Sequence, residues 1–133
     1  MREIKFRAWD PVHKKIFMPQ FDRMQTMLLM QYTGLKDKNG KEIYEGDIVK
    51  WKFSHTYDEG TEHEYISKTS GIVTVVFNNG GFGINRYKWL EGGNVKTDST
   101  GDFCKDLHGW LKSWQEYKII GNIYENPELL DAL

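Results

Sequence analysis

The sequence predicts a mainly β protein, namely a small SH3-like antiparallel barrel with an N-terminal β-hairpin extension and short helical segments. Short runs of alternating apolar and polar residues recur along the chain and are joined by turns rich in glycine. Aromatic residues make up 14% of the composition, and their large flat side chains favour half-buried strands. The length of 133 residues is typical of a single domain.

The N-terminal extension is predicted to be a hairpin followed by a further strand. Apolar and polar residues alternate over residues 4–9, which indicates a half-buried strand, and Asp10-Pro11 is typical of a turn. Residues 16–18 form the expected returning strand, confined to a sheet edge by the proline that follows. Residues 21–32 fit either a helix face or a strand, and we interpret residues 27–32 as a strand.

The barrel core is assigned to residues 33–125, after an extension of residues 1–32. Its first hairpin turns at Asn39-Gly40, because a tight turn needs residues that accept positive φ. Residues 54–70 are polar and are interpreted as a long loop or an exposed hairpin. Four further strands are predicted, of which the second, almost entirely β-branched, is expected to be central: residues 48–53, 71–77, 82–90 and 117–124.

Helical structure is expected only near the C-terminus, after a second polar loop at residues 91–100. Apolar side chains recur at spacings of three and four over residues 103–114, which indicates a short helix with Asp102 as its N-cap. Residues 126–133 are predicted to form a helical turn that Asn126 caps, with proline at its first position.

Composition and charge narrow the class of protein. A single cysteine and the lack of an apolar leader or membrane-length apolar run favour a soluble, cytoplasmic protein without a membrane partner. Residues 1–53 carry 11 basic and 7 acidic side chains, whereas residues 54–133 carry 7 and 12. These two poles of opposite sign favour head-to-tail self-association or a charged partner, although both can equally be solvated surfaces.

Three sequence blocks resemble one protein family. FRAWD at residues 6–10, QYTGLKDKNGKEIYEGDIV at residues 31–49 and IIGNIYENPELL at residues 119–130 are similar to the YopX family of small proteins encoded by phages and prophages of Gram-positive bacteria. The three blocks extend over essentially the whole chain. The resemblance implies a mainly β fold and a phage origin, so the expected cytoplasm is that of a bacterial host cell, and it implies neither an established activity nor catalytic residues.

These blocks also have a physical interpretation as turns. Gly34, Gly40 and Gly46 lie where turns need backbone freedom, and Asp47 can accept backbone N–H groups to hold the turn beside it. Gly121 interrupts an apolar strand, which is typical of a bulge or a close backbone approach. We therefore predict that these residues specify structure.

Two clusters contain side chains of the types that bind metals or act as nucleophiles. Residues 55–64 contain two histidines and four carboxylates, but a hairpin that turns at Glu59-Gly60 places the histidines on opposite faces, and only a register shifted by one allows chelation. Cys104 and His108 would share a helix face, yet a lone cysteine is more often a small buried side chain. We expect a protein that is not an enzyme and holds no cofactor or metal.

Nucleic acid is the alternative partner. Residues 32–52 contain the basic and aromatic side chains with which small barrels bind single-stranded nucleic acid along a groove. The positive charge of the lysines in this segment is nearly balanced by four acidic residues nearby in the sequence, namely Asp37, Glu42, Glu45 and Asp47. Trp51 is more simply explained as a core residue than as a nucleic-acid contact. The candidate contacts are Lys36, Lys38, Lys41, Lys50, Lys52, Tyr32 and Tyr44.

The first hypothesis is a non-enzymatic accessory protein. We expect it to bind an unidentified host or phage macromolecule or to assemble into a homo-oligomer, because no catalytic constellation is evident and the charge is unevenly distributed.

Overall fold

The computed structural model describes residues 4–18, 28–78, 80–91 and 103–130, and for residues 86–91 and 103 it describes the backbone alone. The strands and helices of these residues are, in chain order, β1 (Phe6–Asp10), β2 (Lys15–Phe17), β3 (Leu28–Lys36), β4 (Glu42–Tyr44), β5 (Asp47–Tyr57), β6 (Tyr65–Asn78), β7 (Gly81–Glu91), β8 (Phe103–Lys105), α1 (Leu107–Ser113), β9 (Glu116–Asn122) and a 3-10 helix (Pro127–Leu130).

The strands form two antiparallel sheets. One has four strands in the order β2-β1-β3-β4, and the other has five strands in the order β8-β7-β6-β5-β9. A curled half-barrel sheet and one short α-helix make the fold mainly β and consistent with a small barrel, which confirms the predicted fold class. The β-branched run at residues 71–77 lies in β6, the middle strand of the larger sheet, as predicted.

The larger core cluster lies between the five-stranded sheet and α1. Val49 and Trp51 alternate on one face of β5, and Val73 of β6 lies directly opposite Val49. The indole ring of Trp114, which follows α1, stacks on that of Trp51 with centroids 5.2 Å apart and planes 8° apart. Each fully buried side chain of this size contributes about 1.5–3 kcal/mol to folding.

A second core cluster lies on the four-stranded sheet. It contains the buried side chains of Trp9, Met30, Tyr32 and Tyr44. Tyr124, beyond β9, stacks on Trp9 with ring centroids 5.8 Å apart. The C-terminal segment therefore covers the sheet that the N-terminal hairpin begins, and β3 continues unbroken across the assigned boundary at residue 32.

A buried ion pair fastens β1 to the start of β5. The carboxylate of Asp47 is 1% exposed and accepts hydrogen bonds from the Arg7 guanidinium and, at 2.7 Å, from the backbone N–H of Tyr44. The Arg7 guanidinium also lies 4.7 Å from the Tyr44 ring centroid. Burial raises the pKa of Asp47, although the Arg7 charge and the Tyr44 N–H act in the opposite direction. Asp47 thus holds the turn beside Gly46.

The glycines of the family blocks differ in what they permit. Gly40 and Gly46 lie in turns with φ of +81° and +90°, whereas Gly34 has φ of +85° inside β3, where its pairing with β4 shifts register. A Cβ on Gly121 would lie 2.5 Å from Oδ1 of Asn126, so close approach explains this glycine. The β5–β9 register also shifts beside it, between Ile48 and Val49.

The helical segments begin later than the periodicity indicates. Residues 103–105 form β8, and α1 begins after Asp106, whose side chain accepts the backbone N–H of Gly109 at 3.0 Å. Asp106 is therefore the N-cap; the predicted cap, Asp102, lies outside the described residues. Residues 127–130 form the predicted helical turn, but the Asn126 side chain accepts the N–H of Asn122 instead of capping that turn.

The remaining predictions concern the polar segment at residues 54–70 and segments that lie partly or wholly outside the described residues. Residues 54–70 are an exposed hairpin, because β5 continues to Tyr57 and β6 begins at Tyr65. The segment at residues 28–32 is a strand, as interpreted, within β3. Residues 21–27 of the segment left open between helix and strand, the edge proline at residue 19 and residues 92–100 of the second predicted loop lie outside the described residues, while Glu91 belongs to β7.

Candidate binding surfaces

Three of the predicted contact lysines converge on one groove. Lys50 and Lys52 are two positions apart and therefore share the outer face of β5. Lys118 of β9 lies directly opposite Lys50. Lys38 joins them because its backbone N–H donates to the carbonyl of Tyr117 at 3.3 Å, which brings the β3–β4 turn against the edge of β9. We name this feature the lysine groove; it has a volume of about 260 Å³ and is lined by Lys38, Asn39, Lys50, Lys52, Glu116, Tyr117 and Lys118.

The structure separates the lysine groove from most of the carboxylates that neighbour it in sequence. Glu42 pairs with Lys5, and Asp47 pairs with Arg7. Asp37 lies at the groove edge, but its buried carboxylate accepts three backbone N–H groups, from residues 39, 41 and 119, at 2.9–3.1 Å. Four ammonium groups therefore line the groove with the carboxylate of Glu116.

Tyr117 borders the lysine groove, but its ring lies on the core face of β9, because Tyr117 is directly opposite Trp51 and packs against the larger core cluster. The Lys38 Nζ lies 5.1 Å from the Tyr117 ring centroid, a cation–π distance. Burial raises the pKa of the Tyr117 hydroxyl, and the nearby Asp37 charge adds to the effect. The phenol is therefore neutral at physiological pH and can donate a hydrogen bond.

The other predicted nucleic-acid contacts lie elsewhere. Tyr32 and Tyr44 are 4% and 7% exposed, because their rings pack together in the second core cluster with centroids 5.4 Å apart. Neither ring is open for stacking on a base, so their assignment as contacts is wrong. Lys36 and Lys41 are exposed, but neither lines the groove.

A second surface is the aromatic face of the protruding hairpin. We name residues 53–69 the ribbon, because the pairing of β5 with β9 ends at Lys52 while the pairing of β5 with β6 continues to Tyr57 and Tyr65. Phe53, Tyr57 and Tyr65 are 37%, 43% and 55% exposed. The Tyr57 and Tyr65 rings stack at 4.9 Å, and His55 contacts Tyr57 edge-on at 4.5 Å.

This aromatic face is continuous with the helix side of the core. A shallow groove of about 230 Å³ lies between α1 and the base of the ribbon. It is lined by Trp51, Phe53, Thr69, Trp110, Ser113 and Trp114. Since the alternation of β5 places Trp51, Phe53 and Tyr57 on one face, the groove and the exposed rings form one apolar strip.

The side chain of Gln115 ends the sheet at the base of the ribbon. Its amide oxygen accepts the backbone N–H of Ser54 at 3.0 Å, and its amide nitrogen donates to the Ser54 carbonyl at 2.8 Å. The backbone N–H of Gln115 also donates to the Lys52 carbonyl at 3.0 Å. The Gln115 side chain thus takes the place of the backbone that would pair with Ser54 if β9 began earlier.

The tip of the ribbon is acidic. We name residues 58–64 the acidic tip; they include the exposed carboxylates Asp58, Glu59, Glu62 and Glu64. The loop is ordered by a hydrogen bond from the N–H of Gly60 to the Glu64 carboxylate at 3.0 Å. Four negative charges are therefore concentrated about the turn, with one imidazole, His63.

The geometry of the tip differs from both registers considered for metal binding. His55 lies opposite Ser67 in the ribbon, while His63 lies in the loop with Nε2 3.6 Å from the Glu62 carboxylate. Within the described residues, no three histidine, cysteine or carboxylate side chains are grouped as metal ligands.

The structure corrects the proposed cysteine–histidine pair. Cys104 belongs to β8 and packs against the larger core cluster, whereas His108 is exposed on α1. The two residues therefore do not share a helix face. The four-residue spacing was misleading because a strand ends between them.

Sequence reasoning missed Glu116, Tyr117 and Lys118 as part of the lysine groove. No local signal identifies them, since only the pairing of β9 with β5 brings them beside Lys50. The aromatic face of the ribbon did have a signal, because Phe53, His55 and Tyr57 continue the alternation of the preceding strand.

Comparison with known proteins supports the family resemblance. The family model described as YopX protein matches residues 18–131. The crystal structure of protein EF1440 from Enterococcus faecalis is similar, with 27% sequence identity, coverage of 98% of this chain and 100% of that chain, and a TM-score of 0.51. No curated protein matches this chain. In the described residues no helix has the length and apolar character needed to cross a membrane. Because the family model extends over most of the sequence, the chain belongs to the YopX family.

Proposed function

We propose that this protein is a non-enzymatic phage or prophage accessory protein that binds another macromolecule in the cytoplasm of the bacterial host. The proposal rests on the exposed aromatic side chains of the ribbon. Two strands leave the sheet and present the rings of Phe53, Tyr57 and Tyr65 to solvent. Large aromatic side chains are enriched where proteins contact one another, because each contributes a large contact area at a small cost in conformational entropy.

The arrangement of the ribbon also favours a binding role. A two-stranded hairpin is marginally stable alone, so residues 53–69 depend on the sheet from which they extend. The apolar strip reaches from the ribbon to Trp110 on α1 and offers a partner one continuous surface. Exposed apolar strips with a polar surround are typical of interaction sites.

Capture from phage-infected cells tests this function. Tagged wild-type protein is compared with a ribbon variant that carries Tyr57→Thr and Tyr65→Thr, and with Phe77→Thr as the matched control. Phe77 is 41% exposed but belongs to the other end of β6. We expect a partner that the wild type and the control retain and the ribbon variant loses. Equal capture by all three proteins would contradict the proposal.

Single-stranded nucleic acid is the second candidate partner, and the lysine groove favours it. Four lysines lie around one open channel, an arrangement that suits a phosphate backbone.

Fluorescence anisotropy with a labelled single-stranded oligonucleotide tests this second candidate. Replacing Lys50 and Lys118 by alanine should weaken binding and reduce the slope of log K against log salt by about 1–2. Lys36→Ala, an exposed lysine outside the lysine groove, should leave affinity and slope nearly unchanged. Equal losses in both variants would argue against the groove as the contact surface.

A further inference from the structure

The acidic tip and the lysine groove are complementary in charge. The tip presents four exposed carboxylates, and the groove presents four ammonium groups with one carboxylate, that of Glu116. The acidic tip lies at the far end of the ribbon, whereas the lysine groove lies at the base of the ribbon, where Lys52 lines it. Complementary patches of this kind steer association and fix its orientation.

The two surfaces cannot meet within one molecule. Lys52 lines the groove and Asp58 begins the tip, and the strand between them is extended and paired with β6 as far as Tyr57. At about 3.3 Å per residue, six residues of strand separate the two ends by roughly 20 Å. The paired ribbon holds the acidic tip away from its own groove, so a neutralising contact requires a second molecule.

We propose that the acidic tip of one copy docks into the lysine groove of a second copy. Glu59 and Glu62, which carry exposed carboxylates on the tip, would then lie among Lys38, Lys50 and Lys118 of the neighbouring copy. This inference is independent of the partner that the apolar strip binds, because it uses other side chains of the ribbon.

The contact is heterologous, since each copy contributes a different surface. Each molecule keeps one free tip and one free groove after the first contact, so association continues head to tail into a ring or an open filament. Single-stranded nucleic acid would compete for the same lysines, and assembly and nucleic-acid binding at this groove exclude each other.

Charge reversal provides the test, with sedimentation velocity as the measurement. The tip variant carries Glu59→Lys and Glu62→Lys, and the groove variant carries Lys50→Glu and Lys118→Glu. The wild type should associate at low salt, and each variant alone should associate at least about tenfold more weakly because like charges then face each other. About 0.5 M salt should weaken the wild-type assembly similarly.

The mixture of the two variants is decisive. The basic tip of one variant then meets the acidic groove of the other, while the acidic tip and basic groove of the remaining pair are native. Assembly should therefore return in an equimolar mixture to within about threefold of the wild type. Recovery also demonstrates that both variants are folded. Lys36→Glu, outside both surfaces, is the charge-matched control and should assemble normally.

Three results would overturn the proposal. One is a wild type that remains monomeric at low salt up to high micromolar concentration. Another is a mixture that associates no better than the separate variants. The third is an oligonucleotide that binds the lysine groove of a protein that shows no self-association, which would assign the groove to nucleic acid.

Discussion

Replacing Arg7 should show how much the buried ion pair that joins β1 to β5 contributes to the free energy of unfolding. Arg7→Met keeps a long side chain over the Tyr44 ring but removes the charge that faces Asp47. The side chains of Arg7 and Asp47 are 12% and 1% exposed, so water can replace little of the lost interaction. Breaking a buried pair by removing one partner costs about 3–5 kcal/mol. Because the N–H of Tyr44 still donates to Asp47, we expect the lower end, about 3 kcal/mol.

The loss should depend on pH, and its sign follows from burial. Burial raises the pKa of Asp47 above its unfolded value, so ionisation of this carboxyl opposes folding as the pH rises through the native pKa. Without Arg7 this pKa rises further, because the guanidinium charge opposes the increase. The variant should therefore lose the most free energy of unfolding at neutral pH and less in acid, where Asp47 binds a proton.

Urea unfolding followed by tryptophan fluorescence measures this loss. The two proteins are compared at about pH 7 and at a lower pH of about 4.5. Lys5→Met is the matched control on the segment that enters β1, because Lys5 and its partner Glu42 are 26% and 33% exposed. A pair near the surface of this kind, which water reaches in part, contributes about 1 kcal/mol or less. A loss below about 1 kcal/mol for Arg7→Met, or an equal loss at both pH values, would refute the reasoning.

Three further changes follow from close contacts and hydrogen bonds. Gly121→Ala should cost about 1–3 kcal/mol in thermal unfolding, because its Cβ would lie 2.5 Å from Oδ1 of Asn126. Gln115→Ala should speed hydrogen exchange of the Ser54 amide about fivefold while global stability changes little, since the three hydrogen bonds that are lost all involve one residue at the base of the ribbon, Ser54. Asp10→Asn should flatten the loss of stability in acid: burial alone would raise the pKa of Asp10, but the hydrogen bonds that it accepts outweigh this and lower that pKa, so its stabilising effect disappears as the pH falls.

Each of these changes has a control on the same molecule. Gly81→Ala should leave the melting temperature nearly unchanged, because nothing lies within 4 Å of the added Cβ. Lys112→Ala, on the exposed side of α1, should not alter exchange at residue 54. Glu128→Gln removes another exposed carboxylate and should preserve the acid dependence. Equal effects in a variant and its control would contradict the corresponding reasoning.

Local patterns predicted strands and turns well, because their causes lie within a few residues. The alternation of Val49 with Trp51 and the β-branched run of β6 identified the core face and the central strand of the larger sheet. Gly46 and Asp47 were recognised as a turn from backbone and hydrogen-bonding requirements alone. The extension of β5 to Tyr57 was left open between a long loop and an exposed hairpin, because its polar outer residues conceal the continued alternation.

The candidate sites were less predictable, because they depend on contacts between distant segments. Lys38 and Lys118 are brought together by the turn that packs on β9, a pairing that one sequence does not reveal. Composition alone favours Tyr32 and Tyr44 as contacts, but the second core cluster around Trp9 buries them. The start of α1 was also placed too early, because residues 103–105 belong to β8 and Asp106 is the N-cap.

The amide of Gln115 has a consequence for unwanted polymerisation. An open strand edge is a template on which any extended peptide can add, whatever its sequence. At Ser54 the donor and the acceptor that such a peptide would need are already engaged by a side chain that imitates a peptide group. An invading chain must first displace that amide, so the edge discourages indiscriminate strand addition where the hairpin departs from the sheet.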